Sequence, residues 1–377
     1  MDVKQYIKEN EQGMYDLLKN LCLIPAPSGK EDARAAFCKE WFEKIGATGV
    51  YIDDAKNVIF PLNAEDSNAL TVYVAHTDTV FPDEEPMPYS DDGEIVRCPG
   101  VGDDTASLVV MMYLAKYYVE NKITPKNGIL FVANSCEEGL GNLKGVRKLF
   151  ENFAGRVKQF VSFDSKINVL NDRCVGSHRY EVEVTTEGGH SYLAFGKKSA
   201  IEVLADLIKA IYTVEPPVCE GSRVTYNVGT IEGGTSVNTI AQSAKMLCEY
   251  RSDNAECIDI MQEKFQKIFR DAQSDEAKIH VTMVGDRPCA RGVNEEDLQA
   301  LIATCAGVIE EVDGNAPRFA SSSTDCNIPL SLGIPAVCFG VYYGGGMHTR
   351  EEWIEKKSMV PGLEIAIKVA GKLNENA

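Results

Sequence analysis

The chain has 377 residues, 44% of them hydrophobic and 25% charged, with a formal net charge of -18. That length predicts about two domains, and the composition is that of a globular protein with a full core rather than a disordered or fibrous one. So acidic a chain argues against nucleic acid as a partner, because binding it takes basic patches.

No apolar run approaches the ~18–20 residues of a membrane span, so no membrane association is expected. The opening MDVKQYIKENEQ lacks the apolar stretch of a signal peptide, which predicts a cytoplasmic protein. The 12 cysteines are scattered singly, with no Cys-x-x-Cys. They read as small buried hydrophobes and free thiols, not as a disulfide frame.

Residues 3–20 place Tyr6, Ile7, Met14, Leu17 and Leu18 on one face and predict a helix. Ser28 and Glu31 have the spacing of a capping box, opening a second helix that stops at Gly46. Strands at 48–53 and 57–61 pair as a hairpin. Strand 70–76 ends on His76, and Asp78 follows two residues later. Residues two apart in extended backbone point the same way. Asp78 is thereby placed to hold one ring nitrogen of His76 and leave the other for a metal. Residues 82–104, rich in proline and glycine, predict a loop ending in Gly102-Asp103-Asp104. A helix over about 105–120 is apolar almost all round and is expected to be buried. Strand 129–134 runs into Ser135-Cys136-Glu137-Glu138-Gly139, a short helix covers 142–151, and strand 159–163 ends at Asp164. Apolar strands alternating with helices predict an α/β domain with a mostly parallel sheet covered by helices.

From about 177 the pattern changes to strand 178–186, helix 197–213, strands 223–230 and 244–251, helix 253–272 and strand 278–284. That β-α-β-β-α-β order predicts an inserted α+β ferredoxin-like domain over 177–286. The catalytic domain is then made of 1–176 and 287–377. Its second part carries helix 294–311, Ser323-Thr324-Asp325, strand 335–339, Gly344-Gly345-Gly346, His348 and a terminal helix over 357–374.

Open α/β sheets bind ligands beyond the carboxyl ends of their strands. His76, Glu137, Glu138, Asp164 and His348 all follow apolar strands, and Asp103 sits where a helix starts. Two histidines with three or four carboxylates exceed the needs of one four-coordinate zinc. They suit two divalent ions sharing a carboxylate, about 3.5–4 Å apart. A spare glutamate beside a metal-binding one has the chemistry of a general base. Zinc, cobalt and manganese all accept nitrogen and oxygen donors, so the donor set leaves the metal's identity open. His178 and His280 read as structural, Asp325 as a brace and Trp353 as packing.

The stretches Ala75-His76-Thr77-Asp78-Thr79, Gly102-Asp103-Asp104, Cys136-Glu137-Glu138-Gly139, Phe163-Asp164, Gly188-Gly189-His190-Ser191, Ser236-Val237-Asn238-Thr239-Ile240, Ser323-Thr324-Asp325 and His348-Thr349 with Glu352-Trp353 carry a resemblance. The chain resembles the dinuclear zinc metallopeptidase family of peptidase T, glutamate carboxypeptidase, aminoacylase, acetylornithine deacetylase and succinyl-diaminopimelate desuccinylase. The resemblance implies a zinc-exopeptidase-like catalytic domain. His76 and Asp164 would bind one ion, Glu138 and His348 the other, and Asp103 would bridge them. Glu137 would be the general base and acid, and Asp78 would orient His76. His190 of the inserted domain would stabilise the oxyanion, in its own subunit or the partner's, so that domain would be both lid and homodimer contact. Asn238 and Arg251 would hold the substrate backbone or carboxylate, for which an arginine fork is suited. Gly345 would let substrate approach backbone N–H groups closely.

The reaction implied is attack by a metal-bridged hydroxide on the peptide bond of a di- or tripeptide, in the manner of peptidase T. N-acyl amino acid deacylation or carboxypeptidase action are the alternatives, and a non-catalytic metal- or amino-acid-binding protein is the rival. One departure stands out: Thr105-Ala106 occupies a place where many relatives have Lys-Gly. That touches no expected ligand but weakens any transfer of substrate preference.

Overall fold

A computed structural model describes residues 2–219 and 221–375. The chain divides into two compact units, Met1–Cys174 with Arg291–Ala377, and Val175–Ala290. The first unit begins with α1 (Val3–Cys22), α2 (Asp32–Lys44), β1 (Tyr51–Ile52), β2 (Val58–Leu62), β3 (Leu70–His76), β4 (Ser90–Asp91), β5 (Ile95–Arg97) and α3 (Ser107–Glu120). It continues with β6 (Ile129–Asn134), α4 (Lys144–Phe153), β7 (Val157–Phe163) and β8 (Val169–Cys174). The second unit holds β9 (Gly176–Thr186), β10 (Gly189–His190), α5 (Ala200–Tyr212), β11 (Val224–Gly233), β12 (Thr239–Ile240), β13 (Ser243–Ser252), α6 (Ala255–Asp271) and β14 (Ala277–Arg287). The first unit resumes with α7 (Glu295–Asp313), β15 (Arg318–Ser322), α8 (Asn327–Ser331), β16 (Ala336–Phe339), β17 (Gly344–Gly345), β18 (Trp353–Glu355) and α9 (Met359–Glu375).

The main sheet of the first unit has eight strands in the order β1-β2-β6-β3-β7-β16-β8-β15. Its centre, β6-β3-β7-β16, is parallel throughout, while β1, β2 and β8 add antiparallel pairings. The sequence reason is that every residue of β3 and β6 is buried, so both faces need cover. Successive side chains go to opposite faces. Val72 and Val74 join Leu130, Val132 and the α4 residues Val146 and Leu149 on one side. Tyr73 and Ala75 face α3 and α9 on the other. An aromatic ladder crosses that second face, with Phe60 5.7 Å from Phe131, Phe131 5.9 Å from Tyr73 and Tyr73 6.2 Å from Phe163 between ring centroids. Because the four central strands run the same way, His76, Asn134, Phe163 and Phe339 all end at one edge.

In the second unit a four-stranded antiparallel sheet, β11-β13-β9-β14, carries α5 and α6. Leu204, Leu207 and Ile211 of α5 and Ile258, Met261 and Phe265 of α6 pack on Tyr180, Val182 and Val184 of β9. This is the ferredoxin-like arrangement. Its first and last strands are neighbours, with Ser177 opposite Arg287.

Three expectations need correction. Ser28 and Glu31 do not cap α2: the Ser28 hydroxyl donates to Asp78, and Glu31 is buried, accepting the N–H groups of Gly29 and Cys136. Residues 82–104 are not all loop, since β4 and β5 form a small sheet with β17 and β18. The cysteines are not all free. Cys219 and Cys257 form a disulfide that ties the segment after α5 to the start of α6, while the other ten are buried and form no disulfide. Two strands of the main sheet, β8 and β15, are too polar and short to stand out as apolar runs. Among the described residues no helix is long and apolar enough to cross a membrane.

Candidate metal centre

The edge where β3, β6, β7 and β16 end collects the strand-end acids and histidines. Asp103 lies between two imidazoles. Its Oδ1 is 3.0 Å from His76 Nε2, and its Oδ2 is 3.0 Å from His348 Nε2. Glu138 Oε1 lies 3.4 Å from the same His348 nitrogen. Ligand atoms of His76, Asp103 and Glu138 all lie within 4.8 Å of one another, as do those of His76, Glu137 and Asp164. The two groups share His76. His76 is 1% exposed and His348 57%, so the cluster is closed behind His76 and open to solvent beside His348.

Electrostatics follow from packing these charges together out of water. Burial opposes protonation of His76, yet the charge of Asp104 and hydrogen bonds to Asp103 and Asp78 hold its pKa well above the usual value. Hydrogen bonds to Asp103 and Glu138 push His348 to about 11. Burial would raise Asp103, but His348 and His76 hold it well below the carboxylate range. Burial, then the charge of Asp103, raises Glu138 to about 7 and also lifts Asp164. These acids face one another across two imidazoles whose raised pKa values favour the protonated form. A divalent ion would replace those protons, and the all-nitrogen-and-oxygen donor set fits zinc, cobalt or manganese. The residues present therefore fit divalent metal at this cluster.

Asp78 does more than its spacing from His76 implies. The 3.0 Å contact to His76 Nδ1 comes from its backbone carbonyl, and its carboxylate lies 3.4 Å away. That carboxylate instead accepts the N–H groups of Glu137 and Glu138, each at 3.0 Å, and the Ser28 hydroxyl at 2.6 Å. Two amides at the β6 corner compete for the carboxylate, which leaves the carbonyl to hold the imidazole. Asp104 accepts the backbone N–H of His76 at 2.9 Å, and a cis peptide bond joins it to Asp103. Asn134 donates to Asp325 at 2.8 Å, so Asp325 braces the end of β6.

Two further buried groups support the centre. Arg34, 1% exposed, donates to the carbonyls of Leu21, Ile24 and Thr77. It thereby ties the end of α1 to the peptide between His76 and Asp78. Thr105 Oγ1 lies 3.4 Å from Arg34 and donates to Gly100 O at 2.6 Å, which gives that position a local role. Glu352 accepts the N–H groups of Gly100, Gly102 and Asp103 at 2.7, 2.8 and 2.8 Å. In the sequence Glu352 stands out only by its place four residues after His348 and within the stretches that carry the resemblance, and neither points to these amides.

Gly345 pairs with Trp353 in the β17–β18 ribbon, and a side chain there would lie 3.2 Å from the indole nitrogen. In the second unit β10 and β12 pair His190 with Thr239, which places His190 beside Asn238. Both are exposed, and His190 Nδ1 accepts the N–H of Tyr192. The Arg251 fork is engaged by Glu249, at 2.8 and 3.0 Å.

The chain is similar to several solved structures. One is aminopeptidase PepT from Bacillus cereus ATCC 10987, with 21% identity, a TM-score of 0.75 and coverage of 97% of this chain and 99% of that one. A tripeptidase from Staphylococcus aureus subsp. aureus mu50 has 22% identity, a TM-score of 0.74 and coverage of 96% and 99%. The Bacillus subtilis YXEP protein, described as a dinuclear metal binding peptidase, has 14% identity, a TM-score of 0.68 and coverage of 98% and 100%. These likenesses establish the two-unit fold. The family model described as peptidase family M20/M25/M40 matches residues 72–372, which span every residue of the cluster, and the chain belongs to that family.

Proposed function

We propose that the protein is a dinuclear-metal exopeptidase that cleaves the peptide bond of di- and tripeptides in the manner of peptidase T. The observation that carries this reading is the Asp103 carboxylate, with one oxygen on His76 and the other on His348. A carboxylate presented in that way suits a bridge between two ions, one held with His76 and Asp164, the other with Glu138 and His348. Bound there, the metals would polarise the scissile carbonyl and acidify water.

Glu137 then takes the proton from the attacking water and delivers it to the departing amine. It is buried beside the ligands, with its backbone fixed by Asp78. Asp78 holds His76 through its carbonyl and the Glu137–Glu138 corner through its carboxylate. His190, from this chain or a second copy, donates to the developing oxyanion. Asn238 and Arg251 hold the substrate backbone and carboxylate. A substrate carboxylate would take Glu249's place on the Arg251 fork. Gly345 keeps the approach to the backbone open.

A cytoplasmic homodimer is part of the reading. β11 is an exposed edge strand of ten residues, a surface on which a second copy can pair. The test is Glu137→Ala with zinc, manganese or cobalt supplied. Two ions per chain should remain while hydrolysis falls by about 10²–10⁴-fold. Undiminished turnover would overturn the mechanism. A panel of dipeptides, tripeptides and N-acyl amino acids separates peptidase from deacylase.

A further inference from the structure

We propose that Glu352 is a positioning residue that fixes Asp103 by filling a cup of backbone N–H groups with its carboxylate. This rests on the reading of Asp103 as the shared metal ligand. Successive N–H groups converging on one point make an anion site. Here the groups of Gly100, Gly102 and Asp103 converge, and the anion is a side chain from a segment about 250 positions away. Glu352 is 1% exposed, so its carboxylate is shielded from bulk solvent.

The cup itself is tightly shaped. Gly100 has φ +76°, and a side chain there would lie 2.6 Å from Thr79; one at Gly102 would lie 2.7 Å from the Tyr342 hydroxyl. Backbone pairing of Trp353 with Arg97, and of the Cys98 N–H with the Glu352 carbonyl, brings the two segments together. Glu352 follows His348 by four residues. One strut therefore sets the Asp103 backbone against the segment that bears His348, and these are two of the groups whose spacing the metals would read.

Glu352→Gln is the informative change. It keeps the size but puts an NH₂ group where an acceptor is needed. Competition with a chromophoric chelator should show metal affinity falling about 10–100-fold. The melting temperature should hold, and kcat should fall with KM little changed. Glu352→Asp, which keeps both acceptors, should recover part of the affinity, and the exposed neighbour Glu351→Gln should match wild type. A Glu352→Gln protein with wild-type metal affinity and kcat overturns the proposal.

Should both Glu352 variants fail to fold, hydrogen exchange on the unaltered metal-free protein decides. The amides of Gly100, Gly102 and Asp103 should be protected, and exchange as fast as that of exposed residues in the same loop overturns the proposal. If wild type binds fewer than two ions, or Glu137→Ala keeps full turnover, the dinuclear reading itself fails and takes this inference with it. If those two results stand and Glu352→Gln behaves as wild type, only the positioning role fails.

Discussion

In the first unit His76, Asp103 and the Glu137–Glu138 corner are buried and held from behind by Asp78, Asp104, Arg34 and Glu352. In the second unit His190 and Asn238 sit exposed on a ribbon of two-residue strands, and Arg251 is occupied by Glu249. One region is buried and braced by hydrogen bonds before any ligand arrives, and the other has its side chains in water. Preorganisation matters most where charge must be placed to a fraction of an ångström. Groups that meet only the substrate can tolerate more freedom. Changes at the ion-holding groups of the first unit should therefore appear in metal content, and changes in the second in turnover alone.

Asp103→Ala is the strongest test of that division. It should remove both ions and reduce hydrolysis to background, read by metal analysis of the purified protein; retention of two ions would break the comparison. His190→Ala should lower kcat by about 10²–10³-fold with metal content unchanged. A loss of metal in that variant would mean that the second unit helps to build the centre. Asp78→Ala should weaken metal binding by about 10–100-fold without unfolding the chain, measured by chelator competition alongside a melting curve.

The mildest test is pH. In the metal-free protein burial raises Asp325 and Glu352, like Glu138, to about 7. A carboxyl group with a raised folded pKa binds its proton more tightly folded than unfolded, so its contribution falls as pH climbs from about 4 to 7. His348, raised above 6.5 to about 11, contributes fully below 6.5 and loses that contribution as pH rises toward 11. Asp103, held low, changes nothing above about pH 4. The signs agree, so the metal-free protein should melt at a lower temperature at pH 8 than at pH 5. Metal binding displaces the same protons, so affinity should rise over that range. A flat melting profile would mean that the cluster is solvated rather than closed.

The apolar runs at 70–76, 129–134 and 159–163 are legible as strands because burial on both faces leaves them mostly apolar, with no charged residue before the strand-end His76. Once their direction is parallel, the polar residues that follow them share an edge. Much of what holds that edge is illegible. Glu31 and Glu352 bind backbone N–H groups far away in sequence, and no side-chain pattern records such a partner. Ser28 has the spacing of a helix cap but spends its hydroxyl on Asp78. The Asp78 carboxylate likewise serves two amides besides the imidazole that spacing assigns to it, which it meets at 3.4 Å. Each is a competition between a local partner and a distant one, settled by which donor is buried.

The pairing of Ser177 with Arg287 makes the second unit a detachable cassette. Its chain comes in and leaves through adjacent strands, about 5 Å apart. A short glycine linker between the flanking segments could bridge such a gap, so removing the cassette should leave the host sheet's strand order, which a structure of the shortened protein would check. A miniature protein built in that way would isolate ion capture from turnover, and its sequence would need no change at any of the groups that surround Asp103.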